Sequence, residues 1–195
     1  VTPVLLVHGI WNSGRQFEVM ARALERSGVT AIERIDLLPN SGEAPLRELA
    51  KQVLARAERL KNDAAAERID LVGFSMGGLV SRYFIQRLGG SNQVRRFVSI
   101  SAPHRGTLTA FGLSHAGVRD MRPRSALLRE LNEADNIWGS VEVHSLWTPF
   151  DLMVVPATSS LLREARSNQA FPVLLHRQML TDTRVVTRVV ELLTA

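Results

Sequence analysis

Ile69-Asp70-Leu71-Val72-Gly73-Phe74-Ser75-Met76-Gly77-Gly78-Leu79-Val80 is the stretch that decides the fold. Ile69 to Val72 reads as a buried strand. The residues after Met76 read as a helix that runs to about Leu88, where Gly89-Gly90 stops it. Between the two lies Gly73-Phe74-Ser75-Met76-Gly77, the pattern G-x-S-x-G. A chain that passes from strand to helix in so few residues leaves no room for side chains two positions either side of the serine. It holds the Ser75 hydroxyl out at the carboxyl edge of a sheet, with the positive end of the following helix beneath it. The bare pattern also describes an ordinary strand-to-helix turn. Its placement between strand and helix, with Gly78 allowing close packing, makes Ser75 the candidate nucleophile.

Outward from this turn, strands and helices alternate. Val4 to Val7 is a continuous apolar run, as in a strand buried on both faces. Phe17, Met20, Ala21 and Leu24 make a helix face that Ser13 can cap and Gly28 ends. Ala31 to Leu37 suits a second strand. Leu46, Leu49, Val53, Leu54, Ala57 and Leu60 define a long amphipathic helix. After the turn, Val94 to Ile100 is a fourth strand, Val141 to Trp147 a fifth and Phe171 to Leu175 a sixth. Val185 to Leu193 closes as a helix. This alternation argues one domain over residues 1–195, with a mostly parallel sheet of about six strands and helices on both faces. Ser101 to Ser140 is the longest stretch without a strand. It holds one expected helix, Ser125 to Leu131, and is too short for a separate lid domain.

A serine hydroxyl needs a base within hydrogen-bond reach, itself oriented by an acid. On such a sheet the order along the chain is serine, acid, histidine, each after a later strand. His176 follows the sixth expected strand and Asp151 follows the fifth, so these two are the candidates. Asp135 precedes the fifth strand, and Asp182 suits the start of the last helix. His144 lies inside a strand, His115 in the variable stretch and His104 in a loop that suits a structural role. His8 precedes the nucleophile and suits a hydrogen bond that shapes its own loop. Two backbone N–H groups must meet the developing oxyanion. Met76, after the nucleophile, supplies one and Ile10, after the first strand, the other. Trp11, Leu108, Leu152 and Met153 are the expected substrate-binding residues; Phe111, Leu113 and Leu180 add to an apolar lining that suits an acyl chain.

These residues resemble bacterial lipases and esterases of the α/β-hydrolase superfamily, in particular compact ones lacking the first two strands of the sheet. Val4 to Ile10 looks like their oxyanion-loop strand, and Asp70 to Tyr83 like their nucleophile elbow and helix. Ser101-Ala102-Pro103-His104-Arg105-Gly106-Thr107 resembles the P-H-x-G-T loop of triacylglycerol lipases, and Asp120 to Asn132 a segment preceding the acid. Phe74 stands where many relatives have histidine. By this resemblance the chain is a minimal α/β-hydrolase in which Ser75, Asp151 and His176 form the triad and Ile10 and Met76 the oxyanion hole. The reaction it implies is cleavage of carboxylic esters of lipid or acyl type through an acyl-enzyme. Thioesterase, amidase or acyltransferase chemistry on the same fold, or an idle fold used for binding, are the alternatives. The aspartate pairs of lipase calcium sites have no counterpart here, so neither metal nor cofactor is expected.

Composition agrees with a globular domain: 195 residues, 45% hydrophobic and 22% charged. There is no cysteine, which excludes thiol nucleophiles and disulfide frameworks. The net charge of +5 comes from arginines interleaved with acids, as in Arg56-Ala57-Glu58-Arg59, and with only 6% aromatics it argues a solvated surface and no nucleic-acid partner. Peripheral contact with a lipid interface fits the same charge. No apolar run approaches the ~18 residues of a membrane span. The chain opens on Val1-Thr2-Pro3 without an initiator Met or an apolar leader, so secretion and a cytoplasmic location are equally open, as is the oligomeric state.

Overall fold

The computed structural model describes residues 2–133 and 138–195; Asp135 lies outside them. Six strands form one sheet: β1 (Val4–Val7), β2 (Ile32–Ile35), β3 (Ile69–Phe74), β4 (Val94–Ile100), β5 (Glu142–Trp147) and β6 (Ser167–Ala170). Their spatial order is β2-β1-β3-β4-β5-β6, and every neighbouring pair is parallel. This is a minimal α/β-hydrolase sheet. The register aligns Val7 with Ile35 and Gly73, Phe74 with Ile100, and Ile100 with Leu146. The carboxyl ends of the strands therefore reach one edge together, and the loops that leave them form one surface. In parallel sheets that edge is where ligands bind.

Alternation along β1 shows how the sheet is covered. Leu5 and Val7 face α2 (Leu46–Asp63) and α3 (Met76–Arg87). Val4 and Leu6 face α1 (Glu18–Arg26) and α6 (Thr183–Thr194). Each strand residue points opposite to its neighbour, so a run buried on both sides, such as Val4–Val7, needs helices on both faces. Asp182 caps α6 by accepting a hydrogen bond from the Arg184 backbone N–H at 3.0 Å. Ser13 occupies the cap position of a short 3-10 turn, Gly14–Phe17, without making a side-chain cap bond.

One strand lies elsewhere than the sequence suggests. β6 is Ser167–Ala170, and Phe171 to Leu175 is loop. The polar Ser-Asn-Gln-Ala segment pairs with β5 as an edge strand, where only one side of the backbone is satisfied and solvent reaches the rest. Phe171 and Val173 are buried beside α6 instead. Their apolar character records burial and not strand pairing. Between β4 and β5 the structure contains more helix than expected. A 3-10 turn at Leu108–Gly112 and α4 (Ala116–Asp120) precede α5 (Ala126–Asn132), whose N-cap Ser125 accepts from the Leu128 N–H. No helix of the described residues is long and apolar enough to cross a membrane.

Candidate active site

Ser75 sits between β3 and α3 with φ 55° and ψ −123°, a conformation that non-glycine residues rarely hold and that surroundings must enforce. Its N–H donates to the Ile100 carbonyl at 2.9 Å, and its own carbonyl accepts from Gly78 N–H at 3.0 Å. A Cβ on Gly73 would lie 2.7 Å from Gly78 Cα, and one on Gly77 would lie 2.3 Å from the Val7 carbonyl oxygen. The glycines of the motif are thus required by backbone packed against backbone. Met76 is the first residue of α3, so its N–H has no partner within the helix and is free to meet a ligand at that end.

The loop after β1 is shaped by His8. Its Nε2 accepts from Leu37 N–H at 2.8 Å, which leaves Nδ1–H to donate to the Gly9 carbonyl at 2.7 Å. That carbonyl and the Ile10 N–H belong to one trans peptide and point in opposite directions, so His8 fixes the direction of the candidate oxyanion donor. The Trp11 N–H is taken by the Asn40 carbonyl and is not available. Asn12 donates to the Ile10 carbonyl at 2.9 Å. Burial lowers the His8 pKa, the Gly9 hydrogen bond and Asp36 offsetting this in part, and the ring works as a neutral imidazole.

Asp151 and His176 are brought together. Asp151 Oδ1 accepts from the backbone N–H groups of Met153 and Val154, both at 2.9 Å, and Oδ2 accepts from His176 Nδ1 at 2.7 Å. Both side chains are more than nine-tenths buried. The imidazole packs on the Phe74 ring, centroids 4.7 Å apart, so the residue that departs from the lipase pattern forms the floor under His176. Ser75 and His176 line one cavity.

Two openings meet at Ser75. One, of about 70 Å³, is lined by Ile10, Trp11, Pro103, Val118, Met121 and Met153 among others. The second, of about 140 Å³, runs past Gly9, Asn12, Phe74, His176 and Arg177. Trp11 and Met153 line both. Leu108 and Leu152 line neither; both are exposed, because their loops turn the neighbouring residues inward. Leu180 is buried in the α6 face of the core, and Phe111 stands outside under the Arg122 guanidinium.

Sequence reasoning missed much of what holds the lining. The Thr107 hydroxyl accepts from Val155 N–H at 2.8 Å and lies 2.9 Å from the Met153 carbonyl, to which Thr109 also donates at 2.7 Å. The final threonine of the P-H-x-G-T loop therefore ties the loop after β4 to the Asp151 loop; its presence in that motif was the available signal. Behind it, the Arg82 guanidinium is buried and donates to the Leu131 carbonyl at 2.7 Å, its pKa lowered to about 10 by burial. Among the described residues no group of three or more His, Asp or Glu side chains is placed to hold a metal ion.

The remaining histidines have other partners. His104 is fully buried with Nε2 2.7 Å from the Ser99 hydroxyl. His144 joins Ser167 of β6 to Glu142. His115 is exposed, with one long contact to the Ser41 carbonyl. Burial lowers the pKa of His8, His104 and His144 alike. A histidine depressed in the folded state binds its proton first in the unfolded chain, so its stability contribution falls as pH drops below the unfolded value of about 6.5. Each such group costs up to ~1.4 kcal/mol per pH unit in that window. Asp70 and Asp120, raised chiefly by burial, act in the opposite sense. We expect urea-unfolding stability to fall between pH 7.5 and 5.5, and His104→Gln to make the decline shallower. Equal slopes in the two proteins would remove His104 from the account.

Comparison with known proteins follows the same lines. A family model described as Palmitoyl protein thioesterase matches residues 3–148. A triacylglycerol lipase of Pseudomonas fragi is 29% identical over 110 residues, 54% of this chain and 36% of that protein; the match spans about a third of that relative's length. In three dimensions the chain superposes over 100% of its length on a mature lipase of Bacillus licheniformis, with TM-score 0.82, 16% identity and 92% of that chain covered. It does so too on lipase B of Aspergillus fumigatus, with TM-score 0.83, 15% identity and 52% of that chain covered. At these identities the two structures speak for the fold.

Proposed function

The chain belongs to the palmitoyl protein thioesterase family, and from that premise we propose that it is a serine hydrolase of acyl esters working through Ser75, His176 and Asp151. The observation that carries this reading is the buried Asp151–His176 hydrogen bond of 2.7 Å, opening on the cavity that the strained Ser75 also lines.

With Nδ1–H committed to Asp151, His176 Nε2 is the nitrogen left to take the Ser75 proton. Ser75 Oγ attacks the acyl carbonyl carbon, and the carbonyl oxygen gains its negative charge between the N–H groups of Met76 and Ile10. The carbon–oxygen bond to the leaving group then breaks, and the leaving oxygen takes the proton from His176. Water, deprotonated by the same imidazole, attacks the acyl-serine; the bond from the acyl carbon to Oγ breaks, Ser75 Oγ takes the proton back from His176, and the acid is released. Asp151 holds the tautomer and stabilises the imidazolium that forms twice per cycle.

The acyl group occupies the smaller opening, whose lining is mostly apolar, with Ile10, Trp11, Pro103, Val118, Met121 and Met153 beside the hydroxyls of Thr107 and Thr109. At about 70 Å³ it is far below the ~300 Å³ at which ligand pockets usually begin, so it buries only the first carbons. Further carbons pass Leu113 at the rim of the opening and lie over exposed Phe111. Each buried methylene contributes about 0.8 kcal/mol, or roughly fourfold in kcat/KM. On p-nitrophenyl esters of increasing acyl length the expected result is a steep rise over the first few carbons followed by a plateau. No hydrolysis of any ester would sink the ester reading; a rise that continues undiminished to long chains would sink the assignment of this opening.

A thioester substrate is the second reading, favoured by the name of the family. Sulfur leaves as a thiolate more readily than oxygen and depends less on the proton from His176. The same acyl group offered as thioester and as ester separates the two by their kcat/KM.

A further inference from the structure

The position of His176 assigns the two openings. A base that returns its proton to the leaving atom must stand beside that atom, so the opening lined by His176 takes the leaving group and the one without it takes the acyl group. The leaving-group side carries Arg177, among the described residues the only arginine, lysine or carboxylate side chain lining either opening. Arg177 follows His176 directly and its Nη2 donates to Asn12 Oδ1 at 2.6 Å. Asn12 is in turn fixed by donating to the Ile10 carbonyl, and its own carbonyl accepts from Asn40 Nδ2 at 2.7 Å. The guanidinium is thus held across the mouth of the opening by a neutral amide, between the oxyanion loop and the histidine loop.

Many arginines of this chain meet carboxylates: Arg22 and Arg34 share Glu18, Arg56 meets Glu33 and Arg95 meets Asp70. Among the described residues no ion pair involves Arg177, whose side-chain partner is the Asn12 amide. Four of its five N–H donors are left over from the Asn12 bond. A guanidinium fixed in place with an unspent fork suits a planar or tetrahedral oxyanion.

We propose that Arg177, positioned by Asn12, selects acyl esters or thioesters whose leaving group carries a negative charge, a carboxylate or phosphate on the departing alcohol or thiol. This rests on the hydrolase reading of Ser75 and His176 and adds to it the class of group that departs. The anion approaches the arginine fork as the scissile atom approaches His176, and the attraction persists while the bond breaks because the anion stays on the departing fragment. Such selection is electrostatic and weakens with salt, since Arg177 is exposed and its field is screened.

The test compares 4-carboxyphenyl butyrate with 4-carbamoylphenyl butyrate, esters of closely matched size that differ in charge. The ratio of kcat/KM, divided by the ratio of their spontaneous hydrolysis rates, removes intrinsic reactivity. The expected ratio at low ionic strength is about tenfold for the anionic ester, the size of one solvent-discounted charge-assisted hydrogen bond. It shrinks in high salt, collapses toward one in Arg177→Gln and is largely retained in Arg177→Lys. A ratio near or below one in the unaltered protein, or an undiminished ratio in Arg177→Gln, overturns the proposal. If the neutral ester is cleaved in a Ser75-dependent way without charge preference, the hydrolase reading survives and the leaving-group assignment fails. If neither ester is cleaved, both fail.

Discussion

Replacing Ser75 by alanine is expected to lower kcat/KM on a p-nitrophenyl ester by about 10⁴-fold or more, with little change in unfolding free energy. The loss follows from removing the only atom that becomes covalently bonded to the acyl group; what remains is binding and the N–H groups of Ile10 and Met76, which act on water-mediated hydrolysis alone. Stability is spared because alanine keeps the same Cβ, so the cost of φ 55° is paid by both proteins. His176→Ala should fall to a similar rate, and the double variant Ser75→Ala/His176→Ala no further, since groups that act as one unit do not contribute additively. Asp151→Asn should also lose about 10⁴-fold, because an amide in place of the carboxylate favours the wrong imidazole tautomer. Initial rates beside urea unfolding curves check all of these. A Ser75→Ala protein within tenfold of the parent would remove Ser75 from the reaction.

The second large effect belongs to Gly77. Its Cβ, were there one, would lie 2.3 Å from the Val7 carbonyl oxygen and 2.4 Å from that of His8. Both are backbone atoms at the end of a buried central strand, so no side chain can turn aside to relieve the clash. Gly77→Ala must push α3 away from β1 or shift β1 itself, and we expect a cost of about 3 kcal/mol or more, the upper range for overpacking a core. The same displacement moves the His8–Ile10 loop relative to Met76 and so separates the two proposed oxyanion donors, and activity should drop in whatever fraction folds. Gly112→Ala is the control, for a Cβ there meets nothing within 4 Å and its unfolding midpoint should stay near the parent's. If the two variants unfold alike, the glycines of the motif serve some end other than close approach of strand and helix.

The sequence carried the frame of this molecule more clearly than its fittings, and particular residues show why. Val4 to Val7 is a strand with the bounds expected of it, because a continuous apolar run between turn residues leaves a central parallel strand little alternative. Val94 to Ile100 also has the expected bounds, its apolar Phe97, Val98 and Ile100 buried in the sheet although Arg95 and Arg96 precede them. Ser75 stands at a strand-to-helix turn for an equally local reason: the glycines around it permit the close approach of strand and helix backbone that any Cβ would block. Phe171 to Leu175 misled because an apolar run reports burial, and burial here is achieved by a loop folding against α6. The edge strand Ser167–Ala170 was invisible because its partner β5 supplies the pairing and its own side chains are polar. The helices at 108–112 and 116–120 are too short to display a period. They are held by side-chain bonds from outside the elements, such as those from Arg122 to the Ala110 and Leu113 carbonyls.

The same distinction runs through the site. Asp151 and His176, named beside Ser75 from order along the sheet, do lie together at 2.7 Å and open on a cavity that Ser75 also lines, because the strand ends align. Leu108 and Leu152 were expected inside and stand outside, since a loop's facing is set by bonds that sequence does not display, here Thr107 and Thr109 to the Met153 carbonyl. Asn12 and Arg177, 165 positions apart, meet only because β1 and β6 end on one edge.

The central claim is that Ser75 is the activated nucleophile, and covalent labelling with a fluorophosphonate tests it most directly. Treated protein, digested and mapped by mass spectrometry, should carry one phosphonyl group per chain, on Ser75, formed at the rate at which esterase activity is lost. Labelling should be slowed by orders of magnitude in His176→Ala. An adduct on any other residue that tracks the loss of activity, or full activity in a protein that takes up no label, would contradict the account.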